Sequence, residues 1–357
     1  MMKKGSIKIN RLNCPSKLFL APINTGFSFS SNSENDLNKF HYLRSGNGIG
    51  ISYVGNVSIA SNAKTNINTL TMSQTDGEKW KNLSEIISSN GSLAGMQLGC
   101  KISTIPAQRI WIHPNKNEYV TAARKELLQI DKAELNKIKN QYVESAVKAW
   151  TYGFKVIQIH AAHGYLLSLM LSPSFNMRTD RYGVAEMGLL TDIVKQIRSE
   201  IPDIIIDIRL SLIEGIKSIY QEFCDKRKVI EYMMKLPINI ISLSNGIYNI
   251  NKYYIYPPSE VDARIYLRIG RYFALKYPNK MWNIAGNLFN LDLLKMYDLP
   301  NLTYSLGRSL IRDPLLIKKY YTGRKNEINY CTYCGNCHYY SQGHTSLNTA
   351  CTSIVSR

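Results

Sequence analysis

Short apolar runs rich in β-forming residues alternate with helical patterns along this chain, and this alternation restricts its fold more than any other feature. The eight runs are Lys17–Ala21, Ile49–Val54, Leu93–Leu98, Lys155–His160, Ile204–Leu210, Asn239–Leu243, Met281–Ala285 and Leu302–Leu306. Amphipathic segments such as Lys132–Tyr152 and Gly188–Ile201 lie between them. Strands that alternate with helices pair in parallel through right-handed crossovers, so the pattern predicts a parallel α/β fold.

Eight such units predict a (β/α)8 TIM barrel rather than an open sheet. An open dinucleotide-binding sheet would carry a GxGxxG motif after its first strand, and this chain has none there. With 357 residues, 45% of them hydrophobic, the chain is able to bury a core of this size. We expect one barrel domain over residues 1–323 and a cysteine-rich extension over residues 324–357.

The charge of the chain is strongly positive, with 44 Lys and Arg against 26 Asp and Glu, a net charge of +18. These basic residues are scattered, and no zinc-finger, RNP or basic-zipper pattern accompanies them, so we expect a lysine-rich solvated surface and no specific nucleic-acid partner. The start MMKKGSIKIN lacks the apolar run of a secretory signal, and no stretch approaches the roughly 20 apolar residues of a membrane span. The expected location is cytoplasmic, without a membrane partner.

Two histidines and a tyrosine, His160, His163 and Tyr165, follow the fourth predicted strand. Barrels carry their chemistry at the C-terminal ends of strands. Zinc-binding helical histidines are spaced i, i+4 with a glutamate, whereas these are spaced i, i+3 after a strand, so a metal site is disfavoured. Imidazole N–H groups could hold a substrate oxygen, and the phenol could donate a proton. A histidine that only caps the strand end is the alternative.

Four cysteines near the C-terminus form a second motif, Cys331-x2-Cys334-x2-Cys337-x13-Cys351. A secreted disulfide framework would be short and rich in cysteine throughout, so this cluster indicates a metal site in a reducing compartment. Four thiolates satisfy either tetrahedral zinc or a 4Fe–4S cluster. The spacing does not choose between them.

Residues 160–183, HAAHGYLLSLMLSPSFNMRTDRYG, closely resemble the signature of the old yellow enzyme family of FMN-dependent ene-reductases. The resemblance extends from Asn10 to the cysteine tail. The family folds as a TIM barrel with FMN across its mouth, and the resemblance implies a set of FMN-binding positions at strand ends. In family order these are Ala21, Pro22, Ile23 and Asn24 along the flavin, Asn56 beside it, Gln97 at the pyrimidine edge, Arg209 near N1, and Gly286, Asn287, Gly307 and Arg308 around the phosphate.

This resemblance implies an FMN-dependent oxidoreductase that passes hydride from NAD(P)H through flavin N5 to the C=C bond of an α,β-unsaturated carbonyl compound. His160 and His163 would hold the substrate oxygen, and Tyr165 would donate the α proton. The alternative is an amine or desaturating dehydrogenase that sends electrons through an iron–sulfur cluster to a partner. A barrel that serves only as a scaffold is a third hypothesis, against which the intact His160, His163, Tyr165 and Arg209 argue.

The cysteine tail is similar to that of the trimethylamine dehydrogenase and 2,4-dienoyl-CoA reductase branch, which implies a 4Fe–4S cluster, with zinc as the alternative. The nucleotide-binding domains of that branch do not follow here, so we expect a cluster to need an external electron-transfer partner. The sequence leaves the oligomeric state open.

Two segments depart from the family pattern. The family's Gln-Leu-x-His-Ala-Gly-Arg is replaced by 97–103, QLGCKIS, and its YGGS by 182–186, YGVAE. Both line or brace the barrel mouth, so we expect altered substrate specificity. The loop Arg109–Val120 could supply Trp111 or His113 to a substrate pocket, and the alternative is that the aromatic side chain there only packs. Asn176, Arg178 and Asp180 are expected to brace the loop after the fourth strand rather than to act in catalysis.

Overall fold

The computed structural model describes residues 6–29, 33–72, 76–101, 103–105, 110–337, 349 and 351. Its strands are β1 (Ile7–Ile9), β2 (Leu12–Cys14), β3 (Leu18–Ile23), β4 (Ile51–Ser58), β5 (Leu70–Thr71), β6 (Leu93–Gly99), β7 (Val156–Ala161), β8 (Ile205–Ser211), β9 (Ile240–Ser244), β10 (Met281–Ala285) and β11 (Leu302–Leu306). Its α-helices are α1 (Glu34–Leu43), α2 (Gly77–Ser89), α3 (Lys116–Gln129), α4 (Lys132–Thr151), α5 (Leu166–Met170), α6 (Gly188–Glu200), α7 (Ile219–Met233), α8 (Ala263–Lys276), α9 (Leu291–Met296), α10 (Arg308–Arg312) and α11 (Leu316–Tyr321).

Eight of the strands form a closed parallel barrel, in the order β3, β4, β6, β7, β8, β9, β10 and β11, with β11 pairing back to β3. The short strand β5 adds to β4 at the edge. This arrangement confirms the predicted (β/α)8 fold and all eight predicted strands. Their ends differ from the predicted ends by up to four residues. The largest difference is at β4, which continues to Ser58, beyond the predicted end at Val54.

Local chemistry accounts for the helices between the strands. Helix α4 begins after Asp131, whose carboxylate accepts a hydrogen bond from the Glu134 backbone N–H at 2.7 Å. Near its end, Gly153 has a φ of +97°, a left-handed conformation that favours glycine. Every helix in the described part of the chain is too short or too polar to cross a lipid bilayer.

The hairpin β1–β2 closes the end of the barrel at which the strands begin. Ile9 and Cys14 of this hairpin are buried in one apolar cluster with Phe19 and Tyr53 from the strands. The cluster also takes in the first residues of several other barrel strands. Side chains therefore fill this end of the barrel, and we expect a functional site at the other end, where the strands finish.

Polar side chains cross the barrel interior above this apolar cluster. The Gln97 amide donates to Gln158 at 2.5 Å, and Gln158 donates to Asp207 at 2.5 Å. Tyr53 and Ser242 also donate to the Asp207 carboxylate, each at 2.8 Å. Burial raises the pKa of Asp207 to about 6, although these hydrogen bonds oppose the shift. Because side chains alternate along a strand, residues two positions further on form the next interior layer towards the open end.

Candidate functional site

A cavity opens at the C-terminal ends of the barrel strands, with a volume of about 1760 Å³ including its solvent-filled mouth. All fourteen predicted catalytic and FMN-binding residues line it. They are Ala21, Pro22, Ile23, Asn24, Asn56, Gln97, His160, His163, Tyr165, Arg209, Gly286, Asn287, Gly307 and Arg308. The structure therefore brings these residues together, while their roles stay predictions.

Both histidines lie at the C-terminal end of β7 and contact the neighbouring strand and loops. His160 is on β7, in register with Arg209 on β8. His163 lies beyond the strand with a φ of +66°, a left-handed conformation that costs about 1–3 kcal/mol for residues other than glycine. Its backbone N–H donates to Ser211 Oγ at 2.9 Å, and its carbonyl accepts from the Tyr248 N–H at 3.1 Å. These contacts hold the conformation.

The rings of these two histidines are hydrogen bonded to each other. His160 Nε2 lies 3.0 Å from His163 Nδ1, and His163 Nε2 lies 2.8 Å from Ser244 Oγ. Burial, assisted by the Arg209 charge, holds the pKa of both rings well below the usual 6.5. Both are therefore neutral near pH 7, and each carries one N–H. One of the two N–H groups is used in the bond between the rings.

One arrangement of the protons is consistent with the Arg209 contact. The Arg209 guanidinium donates to Ser244 Oγ at 3.3 Å, and the Ser244 hydroxyl hydrogen can then donate to His163 Nε2. In this arrangement, which we infer, His163 donates from Nδ1 to His160 Nε2 and the His160 proton is on Nδ1. In the described part of the protein, His160 Nδ1 is buried and has no hydrogen-bond partner. This arrangement leaves one N–H donor, on His160, instead of the expected two, and His163 orients the His160 ring at the cavity lining.

Tyr165 lies beside His160 at the start of α5. Its ring centroid is 4.8 Å from that of His160, at an interplanar angle of 76°, and the side chain is half-buried. Tyr165 also hydrogen bonds to Tyr248, whose hydroxyl lies 2.6 Å from that of Tyr256. The phenol of Tyr165 is thus adjacent to the His160 donor on one wall of the cavity.

Three further residues at the site, Ser244, Tyr248 and Tyr256, were not predicted from the sequence. All three come from the end of β9 and the loop after it, and no site residue had been predicted on that strand. A signal was present, since polar residues follow an apolar strand there, SNGIYN after IISL. It was weaker than the HAAHGY motif because serine and asparagine are common in ordinary turns.

Two cavity residues are suited to the polar edge of a flavin ring. The Gln97 amide nitrogen donates one of its two hydrogens to Gln158, and its carbonyl oxygen could accept from a ligand N–H. Asn56 Nδ2 is buried and lacks a partner among the described residues, so it is a donor that a ligand oxygen could satisfy. An acceptor and a donor side by side match the alternating N–H and C=O groups of a pyrimidine ring.

The opposite side of the cavity has room for an anion. Arg308 Nη2 donates to Asn287 Oδ1 and to the Pro257 carbonyl, each at 2.6 Å, which fixes its guanidinium. Gly286 and Asn287 both have positive φ values, +130° and +49°. A Cβ at Gly307 would meet only the Ala21 methyl, at 3.9 Å, so protein packing does not require a glycine there. These residues fit a phosphate group.

The cysteine tail reaches the same cavity. Cys331 and Cys337 line the cavity, Cys334 is exposed, and Cys351 Sγ lies 3.8 Å from Arg312 Nη1. Burial raises the pKa of the Cys337 thiol to about 12, and the charge of the nearby Cys331 contributes to this rise. Among the residues that the structure describes, no group of three or more Cys, His, Asp or Glu side chains is placed to hold a metal ion. The described arrangement does not fit a cluster, and the iron–sulfur or zinc site stays a prediction.

The predicted bracing residues act as expected. Asn176 donates to the carbonyls of Met170 and Tyr182, at 2.8 and 2.9 Å. Arg178 pairs with Asp180 at 2.7 Å and donates to backbone carbonyls at the end of α3 and just beyond it. None of the three bracing residues is among the described residues that line the cavity.

The expectation for the segment Arg109–Val120 was wrong in part. Helix α3 begins at Lys116, so the second half of this segment is not a loop. The Trp111 ring packs on Tyr253, with centroids 4.9 Å apart. Neither Trp111 nor His113 belongs to the described cavity lining. The aromatic side chain at this position packs against the loop after β9, while residue 109 is outside the described residues.

Comparisons with known proteins agree with this architecture. Residues 7–327 match the model of the NADH:flavin oxidoreductase / NADH oxidase family. A metal reductase from Desulforamulus reducens is 25% identical over 350 residues, which cover 92% of this chain and 50% of that protein.

Two solved structures share the fold. A 2-naphthoyl-CoA reductase complex aligns with a TM-score of 0.78 and 18% identity, over 96% of this chain and 56% of that one. Old Yellow Enzyme from Pichia sp. aligns with a TM-score of 0.65 and 18% identity, over 89% and 86%. The chain spans half or less of the length of the first curated relatives that it matches, between 18% and 50%.

Proposed function

Because the chain belongs to the NADH:flavin oxidoreductase / NADH oxidase family, we propose that it is an FMN-dependent NAD(P)H oxidoreductase that reduces the C=C bond of α,β-unsaturated carbonyl compounds. The observation that carries the proposal is the wall formed by His160 and Tyr165. It places one buried N–H donor beside a half-buried phenol among the residues that line the cavity. A substrate carbonyl oxygen needs a hydrogen-bond donor, and an alkene that accepts a hydride also needs a proton.

FMN supplies hydride transfer when it is bound, and residues of the barrel domain, which we place at 1–323, would hold it. The Gln97 carbonyl oxygen would accept from the pyrimidine N–H, and Asn56 Nδ2 would donate to a ring carbonyl. The half-buried guanidinium of Arg209 would lie near N1, where a cation stabilises the anionic reduced flavin. Arg308, beside Gly307, would pair with the phosphate.

The substrate would be held by the protein's own donors. His160 Nδ1–H would bind the carbonyl oxygen and withdraw electron density from the conjugated C=C bond. As hydride reaches the β-carbon, Tyr165 would donate its phenolic proton to the α-carbon and then regain a proton from water. The product gains one hydride and one proton, and the oxygen that His160 binds is again a ketone or aldehyde oxygen.

The charge of the cavity favours a carbonyl substrate over an amine. Arg209, Arg308, Lys101 and Lys252 line it, and none of the described lining residues is an aspartate or glutamate. A protonated amine would meet only like charges there. The dehydrogenase alternative also sends electrons through the cysteine tail, whose described sulfurs do not form a cluster site.

The test is an anaerobic titration of the purified protein after incubation with FMN. We expect a yellow protein whose flavin absorbance is bleached by NADH or NADPH and restored by 2-cyclohexenone, with cyclohexanone as the product. A protein that takes up no FMN would contradict the proposal and leave the scaffold hypothesis. A flavin that trimethylamine reduces, but nicotinamide does not, would favour the amine dehydrogenase.

A further inference from the structure

Three buried polar side chains lie in a row across neighbouring strands of the barrel. Gln97 on β6 is in register with Gln158 on β7, and Gln158 is in register with Asp207 on β8. Their exposed fractions are 2%, 1% and 0%, so the hydrogen bonds between them are shielded from water. Gln97 also lines the cavity, whereas Gln158 and Asp207 are not among its described lining residues. The row therefore links a buried carboxylate to a side chain that a ligand can reach.

An ionised carboxylate only accepts hydrogen bonds, and this property of Asp207 orients both amides of the row. Burial raises the pKa of Asp207 to about 6, so the carboxylate is ionised at pH 8. Gln158 must therefore turn its amide nitrogen to Asp207, at 2.5 Å, and its carbonyl oxygen to Gln97. Gln97 must then turn its own amide nitrogen to Gln158, at 2.5 Å. The Gln97 carbonyl oxygen is thus the end of that amide that points away from Gln158.

The other oxygen of Asp207 orders a second series of hydrogen bonds in the same way. Ser242 donates to Asp207 Oδ1 at 2.8 Å, so Ser242 Oγ accepts from the Asn283 amide, at 2.9 Å. Asn283 donates its second amide hydrogen to Ser305 Oγ, at 2.8 Å, and Ser305 lines the cavity. One buried carboxylate therefore orders two series of side chains that reach the cavity, through β6 and through β11.

The direction of the Gln97 amide matters because a side-chain amide has donors at one end and an acceptor at the other. Without an acceptor-only partner at the end of the row, both directions satisfy the two amides equally well. In the reversed direction, the Gln97 amide nitrogen would face a ligand N–H, and two donors would oppose each other without a hydrogen bond. The match between Gln97 and a ligand N–H therefore depends on a residue two strands away.

We propose that Asp207 is a positioning residue for the cofactor, and that its carboxylate holds the Gln97 carbonyl oxygen towards the N–H of the flavin pyrimidine ring. The inference rests on the proposed function for the identity of the cofactor, and it extends that function to a residue outside the described cavity lining. Asp207 acts through Gln158, so a change at either residue releases the Gln97 amide.

The experiment measures the binding of FMN and of 3-methyl-FMN, which has no N–H on its pyrimidine ring, to the flavin-free full chain at pH 8 by fluorescence quenching. Gln158→Met interrupts the row, and Asp207→Asn makes both directions available. We expect the wild type to prefer FMN over 3-methyl-FMN about fivefold more strongly than either variant does, because a neutral hydrogen bond contributes about 1 kcal/mol. The added methyl group is common to all three proteins, so its size cancels. Gln129→Met, exposed at the end of α3, is the matched control and should keep the wild-type preference.

Two results would overturn the inference. If Asp207 is merely structural, Asp207→Asn weakens the binding of both flavins alike, and the preference for FMN equals that of the wild type. A neutron structure of the flavin-free wild type at pH 8 locates the amide deuterium atoms directly. A Gln97 amide nitrogen turned away from Gln158 in that structure would also refute the inference.

The same measurements separate the inference from the proposed function. If the preference for FMN depends on Asp207 as expected while no enone is reduced, the positioning role stands and the proposed reaction fails. If enones are reduced while the preference is the same in all three proteins, the proposed reaction stands and the positioning role fails. A protein that takes up neither flavin contradicts both. Circular dichroism checks the fold of each variant, and the neutron structure needs no variant should Asp207→Asn not fold.

Discussion

The histidine motif after β7 and the cysteine motif of the tail are equally conspicuous in the sequence, yet they lie in different kinds of structure. His160 is on β7, which pairs with β6 and β8, and its ring is hydrogen bonded to His163. From residue 328 to residue 337 the described chain is neither helix nor strand. Two of its three cysteines line the cavity, and no metal-binding group forms among the described residues.

The difference shows what a motif gains from its position in a fold. A barrel strand sets the direction of each side chain through its register and alternation, so HAAHGY must project into the open end. The tail has no such register. Its described contacts are single ones, such as the Thr349 N–H to the Thr25 carbonyl at 2.6 Å and the Arg308 guanidinium 4.8 Å above the Tyr333 ring.

The largest effect is expected at the histidine wall. Tyr165→Phe should lower the rate of alkene reduction by about 10²–10⁴-fold, because it removes the proton donor. The rate of flavin reduction by the nicotinamide should change little, and stopped-flow absorbance separates the two steps. Tyr220→Phe, on α7 with 77% of the residue exposed, is the matched control. Unchanged enone turnover in Tyr165→Phe would show that Tyr165 is not the proton donor.

A large loss of stability is expected where the loops that carry this wall are tied together. Lys226 and Glu214 form a buried ion pair at 2.7 Å, 1% and 2% exposed, and Ser172 donates to Glu214 at 2.6 Å. Lys226→Met should lower the free energy of unfolding by about 3–5 kcal/mol, because it leaves a buried carboxylate unpaired. Urea denaturation measures this. Lys148→Met breaks an exposed pair with Glu144 and should cost less than about 0.5 kcal/mol.

The pH dependence of stability tests the neutral state of the histidines. The unfolded pKa is about 6.5, and the folded pKa of His160 lies well below it, so its stabilisation is complete above pH 6.5 and lost as the pH falls. Below pH 6.5 we expect the free-energy difference between the wild type and His160→Asn to shift by about 1.4 kcal/mol per pH unit. Asp207, whose raised pKa acts in the opposite direction, is common to both proteins and cancels. A difference that does not vary with pH would show that the His160 pKa is the same in the folded and unfolded protein, so that burial does not lower it.

Ser244 should have a moderate effect through the order of protons that it imposes. Ser244→Ala removes the link between Arg209 and His163, so His160 no longer has a fixed tautomer, and alkene reduction should fall about tenfold. Ser244→Thr keeps the hydroxyl and should restore the rate. Nitrogen-15 NMR of the imidazoles should show the proton on His160 Nδ1 in the wild type and in Ser244→Thr only. An alanine variant with the same imidazole spectrum as the wild type would contradict the role of Ser244 in fixing the protons on His163 and His160.

The smallest effect is expected in the tail. Cys334 is exposed and is not among the described lining residues, so Cys334→Ser should change enone reduction by less than about twofold, as is usual for surface substitutions. Iron and sulfide analysis of anaerobically purified protein tests the cluster prediction directly. About four irons per chain, as a 4Fe–4S cluster needs, would confirm it, and stoichiometric zinc would replace it.

Much of the fold was predictable because its signals are local. The alternation of apolar strands and amphipathic helices is present in every segment, and all eight strands were predicted within a few residues of their ends. Glycine and polar residues at strand ends were also visible, which is why the fourteen predicted residues share one cavity. The family resemblance supplied their order.

The sequence by itself determined the barrel, the end of it that bears polar groups, and the HAAHGY motif, because periodicity and strand ends are properties of neighbouring residues. Only the tertiary structure decided that His163 contacts Ser244, 81 positions away, and that the pair therefore offers one donor. It also decided that Lys101 and Lys252 line one cavity. Such contacts depend on the register of closed strands and on the paths of loops, and no local pattern encodes these.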